Sequence, residues 1–240
     1  MEFHVYENAR AACEAAGVLI AAQITRKGDS VLGLATGSTP IPAYEMLVSW
    51  YKRGVIDFDR VRTFNLDEYV GIDEKNPLSY HSFMEEHLFS KVNLRPENVH
   101  LPSGRSSLDG VAYDEAIRQA GGIDIQLLGI RRNGHIGFNE PAADFTYGTH
   151  VVTLTEDTIE ANARFFNSAD DVPRQAISMG IGNIMSARCV VLVATGESKA
   201  NAVYRTIRGP ITPEVPASIL QLHPCCVILT DREAGKLMTD

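Results

Sequence analysis

His135 and Glu140 stand five residues apart in a loop, Gly129-Ile-Arg-Arg-Asn-Gly-His-Ile-Gly-Phe-Asn-Glu-Pro141, whose Gly134 and Gly137 let the chain fold back on itself. A histidine held by a carboxylate is a tuned proton carrier, because the partner fixes the tautomer and stabilises the imidazolium. On that argument Glu140 should raise the pKa of His135. The same residues also suit a glycine-rich connection whose histidine merely caps a backbone carbonyl. A second proton carrier is Asp67 in Phe64-Asn-Leu-Asp-Glu-Tyr69. Following a buried strand it is partly desolvated, which raises carboxylate basicity and suits removal of a proton from carbon beside a carbonyl or imine. Its other reading is an aspartate capping a loop. Thr36-Gly37-Ser38-Thr39, ahead of Pro40, offers hydroxyls and free N–H groups where a helix begins, an arrangement that suits phosphate. Ser38 or Thr39 could instead only cap that helix. Lys199 and Arg164 would complete an anion site, although either alone reads as a solvated surface cation.

Such groups work only if the fold brings them together. Residues 3–5 suggest a short strand and 7–26 an Ala-rich helix stopped at Lys27-Gly28-Asp29. Val31–Ala35 reads as a buried strand and Ile41–Lys52 as a helix, with Tyr44, Leu47, Val48 and Tyr51 on one side and Pro40 in its first turn. Val61–Leu66 is the next strand, ending in Asp67-Glu-Tyr69, and a polar loop leads to a helix over Ser79–Phe89. A strand near Val99, a helix from Ser106 to about Arg118 and a strand over Ile123–Ile130 lead into the His135 loop. His150–Leu154 reads as a strand, and Thr155 caps a helix carrying Asn162, Ala163 and Arg164. A helical segment is expected from after Pro173 through Ser186. Cys189–Thr195 is a strand, Gly196-Glu-Ser-Lys199 opens a helix, and Cys226–Thr230 precedes a short closing helix. This alternation implies an α/β fold, a doubly wound, mostly parallel sheet with helices on both faces, Rossmann-like, formed by residues 1–240 as a single domain. The loops holding Thr36, Asp67, His135 and Lys199 each follow a strand, so they should converge on one crevice at the carboxyl ends of the strands.

With 45% hydrophobic and 22% charged residues, the chain has the composition of an ordinary globular enzyme. A net charge of −8 argues against nucleic acid and anionic membrane as partners, so an anionic small molecule must meet a local basic pocket. Cys13, Cys189, Cys225 and Cys226 show neither metal-ligand spacing nor the density of a secreted scaffold, and adjacent Cys225 and Cys226 read as two faces of a strand. Met1-Glu-Phe-His-Val lacks a leader pattern and no run approaches the roughly 20 apolar residues of a membrane span, so the cytoplasm is the expected compartment.

Five segments, Leu34-Ala-Thr-Gly-Ser-Thr-Pro40, Asn65-Leu-Asp-Glu-Tyr69 with Ser79-Tyr80-His81, Asn133-Gly-His-Ile-Gly-Phe-Asn-Glu-Pro141, Asn162-Ala-Arg-Phe-Phe166 and Leu220-Gln-Leu-His223, occur in an order that resembles the glucosamine-6-phosphate deaminase family. The resemblance spans nearly the whole chain. It implies conversion of glucosamine 6-phosphate and water to fructose 6-phosphate and ammonia, an amino-sugar phosphate as small-molecule substrate, no metal and no organic cofactor, and a monomer or small homo-oligomer. It also implies that His135, assisted by Glu140 and Asn133, opens the sugar ring. Asp67 would move the proton from C2 to C1 through an enolamine, and Gly37, Ser38, Thr39, Arg164 and Lys199 would bind the phosphate. The chain departs from the family at Arg131, where the last glycine of Gly-Ile-Gly is usual; the expectation is an arginine pointing outward into solvent. Two other functions fit less of the chain. A 6-phosphogluconolactonase has a comparable fold and Gly-His loop but needs no carbon base. A sugar-phosphate sensor domain would carry a DNA-binding helix-turn-helix, for which 240 residues filled by one α/β domain with a net charge of −8 leave no room.

Overall fold

A computed structural model describes residues 1–106, 108–156, 159–160 and 172–238. In chain order the elements are β1 (Glu2–Tyr6), α1 (Ala9–Arg26), β2 (Val31–Leu34), α2 (Ile41–Lys52), β3 (Arg62–Asn65), β4 (Asp67–Tyr69), α3 (Tyr80–His87), β5 (Val99–His100) and α4 (Asp109–Gln119). They continue with β6 (Ile125–Gly129), β7 (His150–Thr153), β8 (Gln175–Ser178), α5 (Ile181–Ser186), β9 (Cys189–Ala194), α6 (Ala200–Arg208), β10 (Cys226–Asp231) and α7 (Arg232–Gly235). Helix α1 forms because alanine has the lowest helical cost and Asn8 caps its start, its Oδ1 accepting from Ala11 N at 3.0 Å. Its Ala12, Ala16, Ile20 and Ile24 are spaced four apart and bury one face against the sheet and α2.

The main sheet runs β1-β10-β9-β6-β2-β3-β5, with every neighbouring pair parallel. With helices on both faces, its strands bury both surfaces, which is why β2 and most of β6 and β9 are continuously apolar. From β2 the chain winds outward to β3 and β5, then returns to β6 on the other side of β2 and continues to β9 and β10. The winding therefore reverses between β2 and β6, and a crevice opens above their carboxyl ends. Two contacts fix that pair. Asp124 accepts from Val31 N at 2.8 Å through its side chain, while its own N donates to Val31 O at 2.8 Å. Gly33 sits opposite Gln126, and a Cβ at Gly33 would lie 2.0 Å from Gln126 Oε1, so a larger residue there would require the buried Gln126 side chain to move.

A second, antiparallel sheet, β4-β8-β7, departs from the expected pattern. Asp67-Glu-Tyr69, expected as the end of the preceding strand, is a separate strand that pairs with β8 at Asp67↔Ser178. The segment expected to be helical from after Pro173 through Ser186 is β8 first; only Ile181–Ser186 is helical, because pairing to both β4 and β7 holds Gln175–Ser178 extended. His150–Thr153 is a strand as expected, but of this small sheet. Pro40 occupies the cap position of α2, and Pro42 stands in the first turn. The helix expected to carry Asn162 and Arg164 falls largely outside the described residues. Among the described residues no helix is long and apolar enough to cross a membrane.

Candidate active site

The loops after β2, β3, β6 and β9 enclose a cavity of about 630 Å³, within the usual size range for a small-molecule site. Its lining includes Gly37, Ser38, Thr39, Asp67, His135 and Lys199, so the predicted convergence holds for those six residues. Arg164 lies outside the described residues.

Asp67 reaches the cavity through strand periodicity. Residues 67 and 69 face one side of β4 and both line the cavity, whereas Glu68 faces the other. Glu68 is tied there as an acceptor from Tyr69 N (2.8 Å), Tyr80 N (3.0 Å) and His81 N (3.0 Å), the last two being free donors of the first turn of α3. Burial, followed by the neighbouring charge of Glu68, pushes the Asp67 carboxyl from 3.8 up to about 7, against an opposing pull from Arg131. A carboxylate so placed is a much stronger base than one in water. Gly137 lets the backbone of the His135 loop approach it. With φ +59° it occupies the left-handed region, and an added Cβ would stand 2.9 Å from Ser178 Oγ and 3.9 Å from Asp67 Oδ2.

The His135 loop is stitched internally. Arg131 N donates to His135 O (3.2 Å) and Gly134 N to Arg131 O (2.9 Å), forming the turn that presents the imidazole. Ala217 N donates to Gly134 O at 2.9 Å, backing the loop from a later part of the chain. His135 Nδ1 lies 2.8 Å from Glu140 Oε2, close enough for the carboxylate to act on the ring and to pair with it once it takes a proton. Asn133 braces both residues, its Nδ2 donating to Glu140 Oε2 (2.8 Å) and its Oδ1 accepting from His135 N (3.1 Å). Asn133 and Glu140 thus stand behind the imidazole, leaving Nε2 for the cavity. The expected rise in the His135 pKa is not what the structure gives. Burial lowers it and outweighs the raising effect of Glu140, while the Arg131 and Lys199 charges lower it further. The ring is therefore neutral near pH 7, a form able to accept a proton.

At the other wall, α2 has no side-chain cap, so neither Ser38 nor Thr39 is consumed in capping it. Gly37 turns at φ +93°, and the hydroxyls and the positive end of a 12-residue helix face the cavity. Lys199 enters from the turn after β9, which is fixed by Gly196 N donating to both oxygens of Asp231 (3.1 and 2.9 Å).

Sequence reasoning missed Tyr69, Tyr80, Phe138 and Ser198, all on the cavity wall. The signal for Tyr69 was available in its two-residue spacing from Asp67. Arg131, expected to face solvent, is half-buried and lines the cavity, where its charge acts on both Asp67 and His135. It carries no backbone strain, because among the described residues only glycines have positive φ. His223, part of the resemblance, lies outside the cavity: its Nδ1 accepts from Cys225 N (3.1 Å) and its Nε2 donates to Ala187 O (2.9 Å). Among the described residues no group of three or more His, Cys, Asp or Glu is placed to hold a metal ion.

Residues 6–228 match the family described as glucosamine-6-phosphate isomerases/6-phosphogluconolactonase. A glucosamine-6-phosphate deaminase of Clostridium botulinum (strain Alaska E43 / Type E3) is 51% identical over 241 residues, covering 99% of this chain and 97% of the relative. A solved structure of a monomeric glucosamine-6-phosphate deaminase superposes with a TM-score of 0.95 at 41% identity, over 99% of this chain and all of that one. The 6-phosphogluconolactonase of Leishmania guyanensis shares the fold, with a TM-score of 0.76 at 19% identity over 100% of this chain and 99% of that one.

Proposed function

The chain belongs to the glucosamine-6-phosphate isomerase/6-phosphogluconolactonase family, and from that membership we propose that it converts glucosamine 6-phosphate and water to fructose 6-phosphate and ammonia. The observation that carries the reading is one cavity holding a carboxylate raised to about 7, a neutral imidazole and an uncapped helix start. The phosphate sits at Gly37–Thr39, with Lys199 and Arg164 supplying charge. His135, oriented by Asn133 and Glu140, moves the proton that opens the pyranose to the aldehyde. Asp67 then takes the C2 proton, giving an enolamine, and returns it to C1, leaving an imine at C2. Water adds to that imine and ammonia leaves. A base of pKa about 7 is matched to a carbon acid near neutral pH, because it is both ionised and strong enough to compete for the proton.

Lactone hydrolysis would use the phosphate site equally well but gives Asp67 no carbon proton to remove. Ammonia release from glucosamine 6-phosphate, measured beside hydrolysis of 6-phosphogluconolactone, tests the assignment; lactonase turnover without ammonia would overturn it. The 240 residues act as one sugar-phosphate domain in the cytoplasm, where phosphorylated sugars are retained. The protein works as a monomer, a reading supported by the solved relative described as monomeric. Sedimentation at micromolar concentration would reveal any larger species.

A further inference from the structure

We propose that Cys189 and Cys225 form a redox modification site, a thiol pair that a peroxide oxidises to an intramolecular disulfide at the end of the sheet away from the cavity. All four cysteines are free thiols, and these two are in contact, with Sγ atoms 2.9 Å apart. That is less than an ångström beyond the covalent S–S length of roughly 2.05 Å. The backbone favours the bond. Cys226 and Val190 are register partners on β10 and β9, and Val190 N donates to Cys225 O at 2.9 Å, so Cys225 stands beside Cys189 across a parallel pair. Neighbouring strands lie roughly 4.8 Å apart, inside the roughly 4.4–6.8 Å range of Cα separations that disulfides span. The 223–225 turn is held in this orientation by the Cys225 N–H donating to His223 Nδ1. Cys226, next in sequence, is buried in the sheet.

The two sulfurs have different roles. Cys225 is exposed, so the oxidant meets it first. Its thiolate attacks one peroxide oxygen, the O–O bond breaks, and the departing hydroxide takes a proton to become water, leaving a sulfenic acid on Cys225. The Cys189 sulfur then displaces the sulfenic oxygen. The S–S bond forms, and the Cys189 proton leaves with the hydroxide as a second water; the two sulfurs have given two electrons to one peroxide. Burial and the adjacent Cys225 push the Cys189 thiol up to about 12, which keeps it protonated and leaves the first attack to Cys225; Cys189 reacts second because its sulfur is already in contact, giving up its proton as the sulfenic oxygen leaves.

The bond would close the chain segment that carries Lys199 and the residues 215–217 that back the His135 loop. It would do so at the start of β9, six residues and roughly 20 Å from the catalytic ends of the strands. The expected effect is a stabilising staple that leaves turnover intact.

Purified protein treated with hydrogen peroxide should lose about 2 Da in intact mass, yield a peptide linking Cys189 to Cys225, and recover its mass with dithiothreitol. Its Tm should rise by roughly 5–15 °C, from the entropy of closing a loop of this size, with kcat/KM unchanged within two-fold. Cys225→Ser should abolish the mass loss, and the remaining Cys189 should resist oxidation. A stable sulfinic acid on Cys225 with Cys189 still free, a bond to Cys226 instead, or an oxidised protein with unchanged Tm would each overturn the proposal.

Discussion

Replacing Asp67 with asparagine should remove catalysis and stabilise the protein, and the size of the second effect follows from the site. The carboxyl rises from 3.8 to about 7 on folding, and at ~1.36 kcal/mol per pKa unit its ionised form is disfavoured in the fold by about 4 kcal/mol. Because the folded pKa lies above the unfolded one, the native state binds this proton more tightly. Stability therefore declines as pH rises from about 4 to about 7 and stays at the lower level above that. Asparagine keeps the shape without the charge, so Asp67→Asn should gain roughly 2–4 kcal/mol at pH 8.5 and nearly nothing at pH 4. Urea melts of both proteins at the two pH values measure this. In parallel, the variant should bind the sugar phosphate but not exchange its C2 proton in deuterated buffer. An equal gain at both pH values would show that the effect is packing and not an ionised carboxylate. Exchange at the wild-type rate would remove Asp67 from the proton transfer.

Arg131→Gly should move the acid limb of kcat/KM upward in a pH–rate series, since losing this cation lets the Asp67 pKa rise further; stability should change by less than about 1 kcal/mol, because no positive φ is relieved. An unmoved limb would place Arg131 outside the field of the base. Glu140→Gln should lower the His135 pKa below its already depressed value, read by NMR titration of the ring, because the one raising influence is gone. A rise instead would mean that Glu140 does not act on the imidazole. Lys199→Ala should raise KM for the phosphorylated sugar by roughly 10- to 150-fold, the worth of a charge-assisted hydrogen bond, and leave any weak reaction of unphosphorylated glucosamine unaffected. Equal losses on both sugars would exclude a phosphate contact.

The parallel sheet and its crevice were legible in the sequence because strands buried on both faces are continuous apolar runs, as from Val31 to Ala35 and from Cys189 to Ala194. Strands β4 and β8 were not. Only Leu66 separates β4 from β3, with no turn residue to mark where one strand stops and the next begins, and β8 is held extended by partners more than 100 residues upstream and about 25 upstream. The proton carriers were legible as residue types, and the hydroxyl turn as a helix start. The inward course of Arg131 was not, since it depends on the hydrogen-bonded turn from Arg131 to His135. Nor was the sign of the His135 shift. Spacing can place Glu140 beside the ring, but only the packed loop shows how deeply the ring is buried.

The pairing of β1 with β10 also bears on how the protein is made. β1 stands at the edge of the sheet and its partner there is β10, with Glu2 beside Val227 and Tyr6 beside Asp231. β1 must therefore wait for a strand made more than 220 residues after it. Until then β9 presents an unpaired edge, the condition under which nascent chains associate wrongly. The same delay reaches the cavity: Ala217 backs the His135 loop and Asp231 fixes the turn of Lys199. The nascent chain thus has its proton carriers long before it has the frame that aims them, and a chain cut short before β10 would be left with an unguarded sheet edge and an unfinished pocket.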